Sequence, residues 1–153
     1  MKKYAVAVFV GVLSLGLGGT FFAHDEGHGP KLTDQSKQGG VIAPVIDEKD
    51  AKKGAKAAVV YKAELVRSDE GIVRLYLYDI QMNVLDISKF EKTAKGIVEV
   101  ENKKKYSKTP FDLKIIDDVF TGSAPKASRK PFNIDVHLKE GTRSLLVAFD
   151  NLD

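Results

Sequence analysis

The clearest pattern in the chain is the alternation across "AAVVYKAELVRSDEGIVRLYLYD", residues 57–79. Val59, Tyr61, Ala63 and Leu65 share one side of the first run, with Val60, Lys62 and Glu64 on the other. In the second run Val73, Leu75 and Leu77 alternate with Arg74, Tyr76 and Tyr78. Period-two alternation around the polar turn Ser68-Asp69-Glu70-Gly71 predicts a β-hairpin with one buried face.

A second hairpin is predicted from "KGIVEVENKKKYSKTPFDLKII", with strands near 95–101 and 110–116 and a turn centred on Asn102 to Lys105. The lysines of that turn are solvated and discourage edge pairing. A third is predicted from "PFNIDVHLK" and "RSLLVAFD", joined by Glu140-Gly141-Thr142. Phe132, Ile134, Val136 and Leu138 point one way there, and Asn133, Asp135, His137 and Lys139 the other. "VIAPVI", residues 41–46, reads as a further strand, which Pro44 assigns to a sheet edge. "DEKDAKKGAK" reads as a charged loop and "IQMNVLDISKF" as an irregular crossing. "DDVFTGSAPKASRK" reads as a long loop broken by Gly122 and Pro125.

About seven short strands with turns at roughly ten-residue spacing predict an all-β fold, an antiparallel two-sheet sandwich of the immunoglobulin-like size class. The tryptophan and cysteine pair of a true immunoglobulin domain is absent.

Residues 1–23 break the pattern. Lys2 and Lys3 precede the uncharged apolar run "YAVAVFVGVLSLGLGG", and polar sequence follows. That order is the signature of a secretory signal peptide. The alternative is an uncleaved anchor, for which the run is short and broken by glycine. A cut after Ala23 exposes His24 but sets bulky Phe21 at the third position before the bond. A cut after Gly18 or Gly19 leaves His24 a few residues inside. The expected organisation is a signal peptide over 1–23, a flexible polar tether over 24–40 and the β-domain over 41–153, exported to the periplasm or secreted.

Charge and composition then narrow the partners. Lys2 and Lys3 account for two of the 24 Lys and Arg, leaving 22 against 21 Asp and Glu, near +1 after processing. A near-neutral domain lacks the broad positive field of nucleic-acid binding, and no membrane insertion is expected once the leader is gone. The absence of cysteine excludes disulfides, thiolate metal sites and cysteine nucleophiles. No Gly-x-Ser-x-Gly elbow, phosphate loop or His-Glu-x-x-His motif is present, and the chain is expected not to be an enzyme.

Two sets of residues could carry function. His24, Asp25, Glu26 and His28 stand just past the leader. Imidazole with nearby carboxylates suits a copper or zinc ion. Gly27, Gly29 and Pro30 argue against a helix that would hold both rings on one face. The bland alternative is a polar linker that happens to contain histidine. His137 is the only histidine of the folded part, on the polar face with Asp135 two residues away; it reads as a surface residue or, in the alternative, as half of a metal site that the tether would complete by folding back. The second set is Tyr76, Tyr78 and Arg74 on one strand face, either a surface for a protein partner or a face buried within the fold.

The succession of export signal, His-rich start, Gly39-Gly40, Glu64-Leu65-Val66 and Val73 to Asp79 resembles small exported β-sandwich proteins that accompany heavy-metal efflux systems in Gram-negative bacteria. The chain departs from that pattern at Gln38, where a histidine precedes the Gly pair, and at "DIQMNVLD", which lacks the Gly-Lys-Pro turn. The resemblance implies a periplasmic metal-handling or efflux-accessory role beside an efflux component. The competing expectation is a structural or partner-binding envelope domain without a metal.

Overall fold

A computed structural model describes residues 29–103 and 105–153. Eight strands follow in order: β1 (Val41–Asp47), β2 (Val59–Arg67), β3 (Ile72–Tyr78), β4 (Thr93–Asn102), β5 (Lys105–Ile116), β6 (Val119–Ser123), β7 (Phe132–Glu140) and β8 (Arg143–Leu152). Every neighbouring pair is antiparallel, and the sheet runs β1-β2-β3-β6-β5-β4-β7-β8 before closing on β1. The protein is therefore a closed eight-stranded barrel. The expected two-sheet, immunoglobulin-like sandwich of about seven strands is corrected by this closure.

The three hairpins form as the alternation predicts. What turns them into a barrel is β6, five residues from the stretch read as a long loop. It pairs with Ile72–Leu75 of β3 on one side and Leu113–Ile116 of β5 on the other. Asp117 and Asp118, at φ 50° and 61°, make the two-residue turn that feeds it. That left-handed pair is the type I′ hairpin geometry, which short polar Asp tolerates better than most residues. Gly122 is not the loop breaker that its sequence context suggests. Its role is contact: a β-carbon there would lie 2.3 Å from the Asp112 carbonyl oxygen, so only glycine lets β6 run this close.

Closure also explains Pro44. It lies inside β1, which has a neighbour on each side, and so not at a sheet edge. The ladder to β8 covers only Val45 to Asp47, so the missing N–H of Pro44 falls beyond it.

One side of each strand fills the interior. Leu75, Leu113, Phe120, Ile134, Val136, Leu145, Val147 and Phe149 are all buried there. Eight strands enclose a space that side chains can fill. The connection over residues 79–92 seals one end by inserting Ile87 and Phe90, with the Phe90 ring edge-on to Phe120 at 6.3 Å. Its backbone is tied to three strands: Leu85 N–H donates to Leu77, Glu91 N–H to Lys139, and Lys92 C=O accepts from Ile115. The stretch read as a charged loop is a 3-10 segment, Glu48–Lys56, kinked at Gly54. It covers a small apolar cluster of Ile46, Ala57 and Leu146 on the outer wall.

Gly122→Ala should destabilise the barrel by about 1–3 kcal/mol, because backbone rather than a mobile side chain must yield. Urea unfolding checks this, with Ile116→Ala, an exposed position, as the near-neutral reference.

Candidate functional site

The outer wall of β1, β2 and β3 carries the most developed polar arrangement in the structure. Glu64 alternates away from the interior, yet its side chain is fully buried. What covers it is the polar stretch before β1. The backbone N–H groups of Lys37, Gln38 and Gly40 donate to its two oxygens at 2.9, 2.8 and 2.8 Å. The Tyr78 hydroxyl donates a fourth bond at 3.1 Å. Two further contacts extend the grip: Lys62 Nζ lies 2.7 Å from Asp34 Oδ1, and Lys37 Nζ stands 5.7 Å from the Tyr78 ring centre. From Gly29 to Gly40 the chain thus lies against the barrel without regular secondary structure of its own.

Local sequence makes this possible. Gly40 sits where a β-carbon would meet the Leu65 carbonyl oxygen at 2.3 Å, so a larger residue would lift the backbone off the wall. The motif pieces Gly39-Gly40, Glu64-Leu65-Val66 and Val73 to Asp79 therefore converge on one carboxylate. Burial pushes the Glu64 pKa up, but the Gly40, Lys37 and Gln38 amides and the Tyr78 hydroxyl outweigh it and hold it below the ordinary glutamate value. Burial first, then the Glu64 charge, push the Tyr78 hydroxyl up to about 12. A carboxylate this saturated has no lone pair directed at a ligand; it fastens the strap.

The two predicted sets fare differently. Tyr78 is buried under the strap, Tyr76 is half-buried, and Arg74 is exposed. Tyr76 keeps other company on the outer wall. Phe120 pairs with Leu75, so Val119 lies beside Tyr76, and Ile116 pairs with Val119. Val84 is bridged to Tyr78. Ile80, Val84 and Ile116 are 51%, 82% and 54% exposed, three of the five large apolar residues exposed among the described residues. No helical or strand period marks them; the folded register sets Val84 at Tyr78 and Ile116 at Val119.

His24, Asp25, Glu26 and His28 lie outside the described residues. His137 is on the outer face of β7, its Nδ1 3.0 Å from Glu48 Oε1. Asp135 does not join it. Their Cα positions are two residues, about 7 Å, apart along the strand. The Lys108 ammonium is held above the ordinary lysine value by its bond to Glu99 first, with the Asp135 charge adding to it. Among the described residues, no group of three or more His, Asp and Glu side chains is gathered to hold a metal. The expectation of a metal-binding domain is corrected to that extent: the barrel wall by itself supplies a His–Glu pair.

No known protein family, characterised protein or solved structure matches the chain.

Glu64→Gln should cost roughly 2–3 kcal/mol, the worth of charge-assisted bonds replaced by weaker ones. The pH dependence follows from the lowered pKa. The wild-type advantage is fully present above the unfolded glutamate value near 4.5 and is lost as pH falls through the lower folded value. Urea unfolding of both proteins across the acid range checks this: the two curves should converge only below pH 4.5.

Proposed function

We propose that the protein is a non-enzymatic, exported envelope domain that docks a protein partner through the outer wall around Tyr76. The observation that carries this reading is exposed apolar surface along β3 and its neighbours: Ile116 pairs with Val119, which follows on from the Leu75–Phe120 pair beside Tyr76, and Val84 is bridged to Tyr78, with Arg74 exposed on the same strand. Soluble domains rarely collect large apolar side chains on one stretch of surface without a use, and a half-buried aromatic with an arginine beside it is the composition of a protein contact. The filled interior supports the same reading, since it directs recognition to the outside.

A second reading follows from one contact and keeps the N-terminal segment. Gly29 packs on Pro44 and Ile46. Ile46 pairs with Leu146, and Leu146 with His137. His28 is therefore joined to a residue about 10 Å, two strand spacings, from the His137–Glu48 pair. In this reading His24, Asp25, Glu26 and His28 complete with His137 and Glu48 a weak site for a copper or zinc ion, in a periplasmic domain that serves a metal-efflux system.

For the docking reading, a photo-crosslinking residue at position 76 should capture one discrete envelope protein in the exporting cell. The same residue at position 52, on the exposed 3-10 segment over β1 and β8, should not. A Val84→Glu, Ile116→Glu variant should lose the capture while its stability stays within about 0.5 kcal/mol. Equal capture from both positions counts against the reading. For the metal reading, calorimetric titration with Zn(II) and Cu(II) should show binding that weakens about tenfold or more in His137→Ala. Binding unchanged in that variant would remove the barrel wall from the site.

A further inference from the structure

The end of the barrel opposite the Ile87–Phe90 plug carries a charge arrangement that neither reading uses. β4 pairs with β7 only as far as Glu99, and β5 pairs with β6 only from Leu113. The hairpin arms Val100–Asn102 and Lys105–Asp112 therefore run on as a two-stranded ribbon past their neighbours. The ribbon presents Lys103, Lys105 and Lys108 to solvent, with Tyr106 37% exposed among them. The β6–β7 connection must pass β5 and β4 to reach its strand, because the order there is β6-β5-β4-β7. It does so at the same end, with Ala124 and Ala127 packed against the core and Lys126, Arg129 and Lys130 exposed.

Two segments distant in sequence thus place their cations on one rim. Residues 101–108 and 124–131 together hold seven basic residues and one acid. Of the chain's 24 Lys and Arg and 21 Asp and Glu, this leaves 17 bases against 20 acids elsewhere. The near-neutral total conceals a strongly polar molecule. Among the described residues Lys103, Lys105, Lys126, Arg129 and Lys130 enter no salt bridge.

We propose that this rim docks the domain onto an anionic phospholipid surface, ribbon tip first. Six of the seven cations are lysines, compact point charges suited to a diffuse field of headgroups; bidentate reading of single phosphates or bases would favour arginine. Lys103, Lys105, Lys108, Lys126 and Lys130 sit on a projecting ribbon and a loop, a convex arrangement that meets an extended flat surface. Pro110 and the lysines make the open edge of β5 a poor template for an added peptide strand. Tyr106, apolar ring with a polar tip, is suited to headgroup depth. Asp69 and Glu70 of the β2–β3 turn and the C-terminal Asp153 stand at the same end, and Glu99 pairs with Lys108, so the unpaired cations lead at the ribbon tip and along residues 126–130.

Co-sedimentation with vesicles tests the proposal, using equal parts of phosphatidylglycerol and phosphatidylcholine against phosphatidylcholine alone. The protein should bind the anionic vesicles at low ionic strength and be released by salt. Each basic residue near such a surface is worth about fivefold in partitioning. The Lys103→Gln, Lys105→Gln, Lys126→Gln variant should therefore bind about 100-fold more weakly. A Lys49→Gln, Lys52→Gln, Lys56→Gln variant changes net charge equally on the exposed 3-10 segment and should bind as wild type. Equal weakening in both variants, equal binding to neutral vesicles, or no binding to anionic ones overturns the proposal. So does tighter binding to a short DNA duplex than to the vesicles, which would assign the rim to nucleic acid.

Discussion

Where β6 passes β5, a β-carbon on Gly122 would stand 2.3 Å from the Asp112 carbonyl oxygen. Glycine removes that clash, and with it the obstacle to a strand between β3 and β5. Without β6 those two strands would each end in an open ladder, and the apolar faces of the three long hairpins would have to find some other cover. With it, the interior closes over Phe120 and Phe149, and the 79–92 connection plugs one end. The outer features follow from that closure. Tyr76 gains Val119 and Ile116 as neighbours only because β6 lies beside β3, and the cationic ribbon projects only because β6 and β7 stop pairing short of its tip.

The second organising element is the Glu64 carboxylate. It lies on the outer wall and is buried by hydrogen bonding to the backbone of a polar stretch that carries little apolar surface of its own. Charge-assisted bonds to backbone amides replace apolar packing as the means of fixing residues 37–40. At its other end this stretch packs Gly29 against Pro44 and Ile46.

Much of the fold was legible in the sequence, and the limit is instructive. The alternations over residues 59–78, 95–116 and 132–150 specify three hairpins and the inward residues, because period two is a property of each strand alone. β6 was not legible. Val119–Ser123 has five residues, ends in glycine and serine, and offers Phe120 as its one deeply buried apolar side chain. A sandwich and a barrel differ by that strand. Of the candidate site residues, Tyr76 and Arg74 kept their surface position, but Tyr78 is hidden by a partner 14 residues away, Glu64, and by a strap further still. Glu64 looked like one more outward polar residue, since nothing local announces that an earlier glycine-rich turn will cap it. Val84 and Ile116 follow no period and acquire meaning only once register sets them at Tyr78 and Val119.

Closure of the barrel rests on β6 touching two strands at once. Cross-strand nuclear Overhauser contacts from Phe120 test it most directly. The barrel predicts contacts from Phe120 to both Leu75 and Ile115, with slow exchange of the amides that join them. Phe120 contacts to β5 alone, with β3 amides exchanging freely along that edge, would contradict it.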